Sequence, residues 1–179
     1  MFGTGSSYDE LNDLAEGIDI GSDGLTFLPF GNGAERMLEN SEPGALFADL
    51  NFNLHKKNHL LRSVLEGVAF SFYYGINIMK ELGINPNVIR AGMANMFLSK
   101  IFRDTIATLN ESPIQLYNTD GALGAARAAA YGAGFYSSFE EAFKGLKCLL
   151  NIDPDLKNKD KYLTAYNKWH NELNNKLKK

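Results

Sequence analysis

One long helical pattern constrains this chain more than any other feature of its sequence. Between residues 53 and 82 the apolar side chains recur at steps of three and four, which is the period of an α-helix. We predict a single long helix that buries one broad stripe, made of Leu60, Leu61, Val64, Leu65, Val68, Phe72 and Ile76. Asn53 or Asn58 is its predicted N-cap, and Gly83 is the glycine expected just beyond its end.

Shorter patterns at the two ends of the chain add helices and strands. We predict a helix over residues 8–15, capped by Ser6 or Ser7, and strands over residues 25–29 and 44–50. The first strand is expected to end at Pro29, and residues 31–44 have the composition of a loop. A tail helix over residues 157–179 has an apolar face formed by Tyr162, Ala165, Tyr166, Trp169, Leu173 and Leu177.

After the long helix, strands alternate with helices. Strands are predicted over residues 88–91 and 113–117, and helices over about 97–109 and 122–131. A strand–helix–strand order requires crossover connections, so the predicted fold class is α/β. The strands are few and short for an independent sheet, so we expect the fold to need a further piece.

The composition excludes several classes of function. The 179 residues are 45% hydrophobic and 22% charged, the balance of a globular domain. A formal charge of -3 gives no electrostatic basis for binding nucleic acid or an anionic membrane. There is no leader pattern, no apolar run approaches the ~20 residues of a membrane span, and the lone Cys148 suits a reducing compartment. We expect a soluble, cytoplasmic protein in which the Cys148 thiol is buried or inert.

Three short segments are candidates for chemistry. In the turn over residues 91–95, Gly92 would let a nucleotide approach the backbone, and Asn95 offers an amide to an adenine or ribose. The structural alternative is that Gly92 only makes the turn and Asn95 only caps the next helix. Residues 120–127 open a helix with small side chains, for which close helix packing is the commoner explanation. The Glu35–Arg36 pair either organises its loop or forms an exposed ion pair that contributes little.

No metal site and no catalytic residue are predicted in this chain. His55 and His59 are four residues apart, but the two lysines between them would repel a cation and no acidic partner is near in sequence. Both are expected to be exposed histidines near the start of the long helix, and His170 is expected to lie on the surface.

The order of several segments resembles that of carbohydrate kinases of the FGGY family. Residues 27–30 and 33–36 look like the family's FLPY and GER segment, and residues 62–70 are similar to its RAVLEGVAF helix. Residues 94–98 resemble the ANNFL of glycerol kinases, and residues 121–126 resemble the family's GPALGAA helix. The likeness covers roughly residues 25–135, and its FLP and VLEGVAF blocks look most like those of xylulose kinases.

This resemblance implies a fold and a binding site. Residues 1–179 would be the C-terminal, nucleotide-side domain of a two-domain sugar kinase, with a ribonuclease H-like, actin-like fold that lacks its first strands. By the likeness to glycerol kinases, Gly92 and Asn95 would face the adenine, and Met93 and Ala94 would contribute backbone. The family's usual glycine triplet is reduced here to one glycine.

The resemblance also implies a reaction. ATP and Mg²⁺ would be the cofactors of a phosphoryl transfer to a sugar, D-xylulose first, with glycerol, gluconate or another ketose as alternatives. The family's catalytic aspartate, phosphate loop and sugar pocket precede the matched segment, so the chain alone is expected to be inactive without an N-terminal domain, which would also hold most of the Mg²⁺. The alternative of another class is a non-catalytic nucleotide-binding or interaction module, completed by a partner chain or by self-association.

Overall fold

A long central helix packs against two hydrophobic cores in the computed structural model, which describes residues 7–178. The elements follow in chain order: α1 (Tyr8–Glu16), β1 (Thr26–Phe30), β2 (Gly44–Ala48), α2 (Lys57–Glu81), β3 (Ile89–Gly92), α3 (Lys100–Asn110), β4 (Ile114–Tyr117), α4 (Gly121–Gly132), α5 (Phe139–Ala142), β5 (Cys148–Ile152) and α6 (Lys159–Leu177). The central helix is α2. It contributes Phe70 to the first core and Ala69 to the second.

The predicted ends of the helices are partly confirmed. Ser7 caps α1 in a reciprocal capping box, in which its hydroxyl accepts from the Glu10 amide at 3.2 Å. The N-cap of α2 is Lys56, and not Asn53 or Asn58, because the His59 ring Nδ1 accepts from the Lys56 amide at 3.1 Å. Gly83 ends the helix as predicted, with φ +85° and the backbone bonds of a Schellman motif.

The buried face of α2 is not the apolar stripe that its periodicity predicts. The stripe side chains are half-buried, and Phe72 is 49% exposed, whereas Arg62, Glu66 and Gly67 are buried. Strand β1 crosses α2 so closely that a Cβ atom at Gly67 would lie 2.2 Å from the carbonyl oxygen of Phe27. The side of the helix with the smallest side chain is therefore the side that the strand covers.

The first core lies between β1, α2 and α6. Trp169 of α6 is fully buried, and its indole Nε1 donates to the Phe27 carbonyl at 3.0 Å. Tyr162, Tyr166 and Leu173 are buried on the same face of α6, so the predicted amphipathic tail helix is confirmed. Strand β1 continues through Pro29 to Phe30 and pairs antiparallel with β2, because a strand in a two-stranded ribbon tolerates a residue without an N–H.

The second core lies under a three-stranded sheet of order β3-β4-β5. Strands β3 and β4 are parallel, with Ile89 opposite Ile114, and α3 connects them, which confirms the predicted crossover. Strand β5 is antiparallel to β4 and was not predicted, nor was α5. Of the two alternatives for Cys148, buried or inert, the buried one is wrong, because β5 is an edge strand and the thiol of Cys148 is exposed.

Helix α4 differs from the expectation of close helix packing. It has no buried residue, and apart from the chain neighbours and the backbone of α4 itself, no described heavy atom lies within 4 Å of a Cβ built at Gly121, Gly124 or Gly132. Close packing against another part of residues 7–178 is therefore not the reason for its small side chains. Within the same residues, no helix is both long enough and apolar enough to cross a membrane.

Candidate functional site

The carboxyl ends of β3 and β4 lie side by side and carry the first candidate segment. Gly92 is opposite Tyr117 in the parallel register, and the Met93 amide donates to the Tyr117 carbonyl at 2.9 Å. The loops that follow the two strands therefore leave the sheet at the same edge. This is the edge at which open α/β sheets bind ligands.

Gly92 is required by the packing of the backbone. A Cβ atom there would lie 2.3 Å from the carbonyl oxygen of Thr119 and 3.0 Å from the Cα of Asp120. Only a residue without a side chain permits the second loop to approach this closely. Gly92 therefore has a packing role that neither interpretation predicted, because it lets two loops meet at the sheet edge.

Asn95 is not a helix cap. The N-cap of α3 is Ser99, and the 3₁₀ turn that begins at Asn95 has no side-chain cap. Asn95 is exposed, has φ +54°, and its amide has no hydrogen-bond partner within residues 7–178. Asparagine is one of the few residues that readily adopt this left-handed conformation, so the backbone favours it here and leaves its amide free for a ligand.

Three of the four predicted site residues line one cleft of about 280 Å³. They are Gly92, Ala94 and Asn95, and the remaining walls are Phe72, Ala91, Met96, Phe97 and Gly121. The Met93 side chain instead packs against the second core, and its amide is already bonded to Tyr117. Met93 can therefore offer only its carbonyl oxygen. The exposed ring of Phe72, which belongs to the predicted apolar stripe, also lines this cleft, although no site role was predicted for it.

A larger cleft of about 450 Å³ lies on the other side of Gly92. It shares the wall formed by Ala91 and Gly92, and it is otherwise lined by Arg90, Tyr117, Thr119, Phe139, Phe143 and Leu146. Arg90 Nε and the Tyr117 hydroxyl both donate to the Gln115 side-chain oxygen at 3.1 Å, which fixes one rim of this cleft. This cleft was not predicted from the sequence, because its aromatic wall comes from α5 and the residue that follows it, and α5 was not predicted.

The second candidate segment, residues 120–127, forms hydrogen bonds that stabilise the local structure. The Asp120 carboxylate caps α4 by accepting from the Leu123 amide at 2.8 Å, and Arg127 donates to the Ala142 carbonyl at 2.8 Å. Glu35 and Arg36 form no ion pair with each other in the described chain, so the expected exposed ion pair is absent, and Glu35 instead forms an isolated antiparallel β-bridge with Ser41.

The expectation of exposed histidines at 55 and 59 is wrong. His55 is buried, and its Nδ1 accepts from the Asn51 amide at 3.0 Å. His59 is mostly buried, and its Nε2 lies 3.1 Å from the Asp23 carboxylate. His170 is half-buried and stacks on Tyr166. Residues 7–178 contain no group of three or more side chains that could hold a metal ion.

Comparison with known proteins relates the chain to sugar kinases. No family model matches it. It is 29% identical over 188 residues to the xylulose kinase of Bacillus subtilis (strain 168), which covers 99% of this chain and 37% of that protein. It is 30% identical over 135 residues to the gluconokinase of Bacillus licheniformis, which covers 74% of this chain and 26% of that protein.

The structure superposes on a ligand-bound xylulose kinase from Lactobacillus acidophilus with a TM-score of 0.81 and 20% sequence identity, over 97% of this chain and 36% of that one. The chain thus spans about a third of the length of the proteins that it matches. Its fold is α/β, as the strand–helix pattern predicts, and of the ribonuclease H-like, actin-like kind, as the family resemblance implies.

Proposed function

We propose that this chain is the C-terminal, nucleotide-side part of an ATP-dependent sugar kinase. The observation that carries the proposal is its similarity to a xylulose kinase along 99% of its length. D-Xylulose is the first candidate substrate. Gluconate is the second, because a gluconokinase is equally similar over a shorter stretch. Glycerol and other ketoses remain alternatives.

The adenine of ATP would occupy the 280 Å³ cleft beside Asn95. An amide side chain both donates and accepts, which matches the alternating donors and acceptors on the edge of an adenine. Phe72 and Phe97 present apolar ring faces on which a base can pack. Ala94 and the carbonyl of Met93 would supply backbone contacts. Gly92, which has no side chain, would let the base approach the backbone.

ATP·Mg²⁺ would supply the phosphoryl group for transfer to a sugar hydroxyl. The described residues fit an adenosine better than a metal ion, since they contain no cluster of metal-ligating side chains. The Mg²⁺ would therefore be held by the phosphates and by an N-terminal domain, which would also supply the catalytic aspartate and the sugar pocket. This chain would position the base of the nucleotide in a cytoplasmic enzyme, and alone it would not turn over.

Calorimetric titration of ATP into the 179-residue chain tests the adenine cleft. Asn95→Gly removes the amide and keeps a residue that tolerates positive φ, so it should weaken ATP binding about 5–10-fold through loss of one or two hydrogen bonds. Asn40→Gly is the matched control, because Asn40 is also exposed, with φ +62°. Equal ATP affinity in the two variants would contradict the assignment of Asn95.

The kinase proposal has a separate test. Joined to an N-terminal kinase domain of the proposed kind, the chain should release ADP from ATP in the presence of D-xylulose or gluconate, and the chain alone should not. Nucleotide binding without sugar-dependent ADP release from the joined protein would favour the alternative of a non-catalytic nucleotide-binding or interaction module. The exposed α4 and the β3 edge, which has no partner strand in the described chain, are the surfaces such a module would use.

A further inference from the structure

The two aromatic walls of the 280 Å³ cleft are held by a third ring that does not line it. Phe102 of α3 is fully buried in the second core. Its ring meets that of Phe72 edge-on, with centroids 5.2 Å apart, and it meets that of Phe97 in the same way, also at 5.2 Å. Edge-on contact is one of the arrangements that aromatic pairs prefer. Phe102 therefore fixes the orientation of both walls.

The backbone that carries Phe97 is also fixed. The Nη1 of Arg103 donates to the Phe97 carbonyl at 3.0 Å and to the Leu98 carbonyl at 3.3 Å. The Phe97 amide donates to the Ala94 carbonyl at 3.2 Å. The opposite wall, Phe72, is part of the long helix α2. Both rings are therefore in place before a ligand arrives.

The turn between these walls offers little to a phosphate group. The Met93 amide donates to the Tyr117 carbonyl at 2.9 Å, and the Ala94 amide donates to the Gly92 carbonyl at 2.8 Å. A phosphate beside this turn would need such N–H groups, and these two are already bonded. Within residues 7–178, no charged side chain lines the cleft.

Charges close to the cleft do not favour a phosphate either. Gly121, the first residue of α4, lines the cleft, and the neighbouring Asp120 carboxylate accepts from the Leu123 amide at 2.8 Å. This carboxylate occupies the helix start at which an anion would otherwise bind. Arg90 lines the larger cleft on the other side of Gly92.

We propose that this chain recognises only the nucleoside part of ATP, by stacking the base on Phe72 and Phe97, and gives no stabilising contact to the phosphates. Phe102 is a positioning residue, because it acts through the two rings. The proposal rests on the assignment of this cleft to the base of ATP. Its ligand class is a purine nucleoside, phosphorylated or not, since a purine covers more of the rings than a pyrimidine does.

Calorimetric titration of the 179-residue chain with adenosine and with ATP tests the first part. The two dissociation constants should agree within about fivefold, because a charge-assisted hydrogen bond to a phosphate would contribute more than this. Cytidine should bind more weakly than adenosine. ATP binding more than about fivefold tighter than adenosine binding would overturn the proposal, since it would reveal phosphate contacts. Equal binding of cytidine and adenosine would overturn the purine preference.

Ring variants test the stacking. Phe72→Leu should weaken adenosine binding about 5–20-fold through loss of base–aromatic stacking. Phe72→Tyr keeps the ring and should bind like the wild type. Equal weakening by the two substitutions would overturn the stacking, and the exposure of Phe72 allows both variants to fold.

The positioning role of Phe102 has its own comparison. Phe102→Leu should weaken adenosine binding about 3–10-fold, because both walls lose their edge-on contact. Phe70→Leu is the matched control, since Phe70 is buried in the first core, meets Tyr166 edge-on at 5.9 Å and does not line the cleft. Equal affinity of the two variants for adenosine would overturn the positioning role.

Failure of this proposal is distinguishable from failure of the proposed function. ATP binding that depends on Asn95 but not on Phe72 or Phe102 would overturn the proposal and leave the adenine cleft standing. No binding of either ATP or adenosine would overturn both.

Discussion

At the scale of single residues, two glycines are required by close contacts between backbones. Gly67 lets β1 pass over α2, and Gly92 lets the loop at Thr119 approach β3. Neither contact depends on the left-handed conformations for which glycine is usually needed, because neither residue has a positive φ. The steric cost of any added side chain explains both positions.

The substitution Gly92→Ala should lower the free energy of unfolding by about 1–3 kcal/mol, because the new Cβ would overlap the Thr119 carbonyl. Gly124→Ala in α4 is the matched control, since nothing in the described chain lies near its added methyl group. That change should stabilise the chain by about 0.5–1 kcal/mol through helix propensity. Urea unfolding of both variants measures the difference, and a loss at Gly92 no larger than at Gly124 would refute the packing argument.

The Arg62–Glu66 ion pair is the second feature at this scale. Burial raises the pKa of the Glu66 carboxyl, while the Arg62 guanidinium and the Gly21 amide act in the opposite direction. Removing only the arginine would leave a buried carboxylate without its cation. Removing both charges would leave a neutral group that can still accept from the Gly21 amide.

We therefore expect Arg62→Met to cost about 3–5 kcal/mol of unfolding free energy, as for other buried pairs that lose one partner. The double variant Arg62→Met/Glu66→Gln should recover at least about 1 kcal/mol of this loss. Chemical denaturation of the wild type and both variants gives the comparison. A double variant less stable than the single one would show that the carboxylate does more than balance Arg62.

At the scale of elements, α6 holds the first core through aromatic side chains. Tyr166 stacks on Trp169 with ring centroids 5.8 Å apart and meets Phe70 edge-on at 5.9 Å. Burial raises the pKa of Tyr162 to about 12, and burial likewise raises the pKa of Tyr166 to about 12. The docking of α6 should therefore be sensitive to alkali.

The direction of this pH dependence follows from the number of protons bound by the folded and the unfolded chain. The unfolded chain releases these phenol protons near pH 10, while the folded chain keeps them to about pH 12. Unfolding therefore releases protons in this interval, and stability should fall as the pH rises from 10 to 12. Tyr166→Phe should show a smaller fall in urea midpoint, whereas Tyr8→Phe, at an exposed tyrosine, should match the wild type. An equal fall of the urea midpoint in Tyr166→Phe and Tyr8→Phe would contradict this assignment.

At the scale of the whole molecule, burial is uneven. The first core contains Trp169 and Leu173 without any exposure, whereas α4 has no buried residue and β5 is largely exposed. Local opening requires least free energy where few apolar contacts must break. The part from α4 to β5 should therefore open without unfolding α2 and α6.

Native-state hydrogen exchange tests this difference. Amide protons of α4 should exchange by local opening and be almost insensitive to low urea concentrations, while those of α2 should need global unfolding. Helix α3 is the comparison of similar length, since most of its side chains are buried. Equal protection of α3 and α4 would mean that α4 is covered in solution, for example by a second copy of the chain.

Part of the candidate site was accessible from the sequence. The glycine and the asparagine after a short strand were identified by residue type and position, and the structure places both on one cleft. Phe72 was assigned to the core, because periodicity cannot show whether an apolar stripe has a partner. The aromatic wall of the larger cleft depends on α5, which is too short to produce a periodic signal.

The sequence by itself determined the local elements of this protein: the long helix and its glycine stop, the strand–helix–strand crossover and the amphipathic tail. These elements depend on contacts between residues close in sequence, and such contacts can be predicted from the spacing and type of the residues. The tertiary structure alone decided which face of α2 is buried, that His55 and Arg62 lie inside, and that α4 is uncovered. Those outcomes depend on how closely distant backbones approach, as at Gly67 and Phe27, and that distance is set by packing rather than by local pattern.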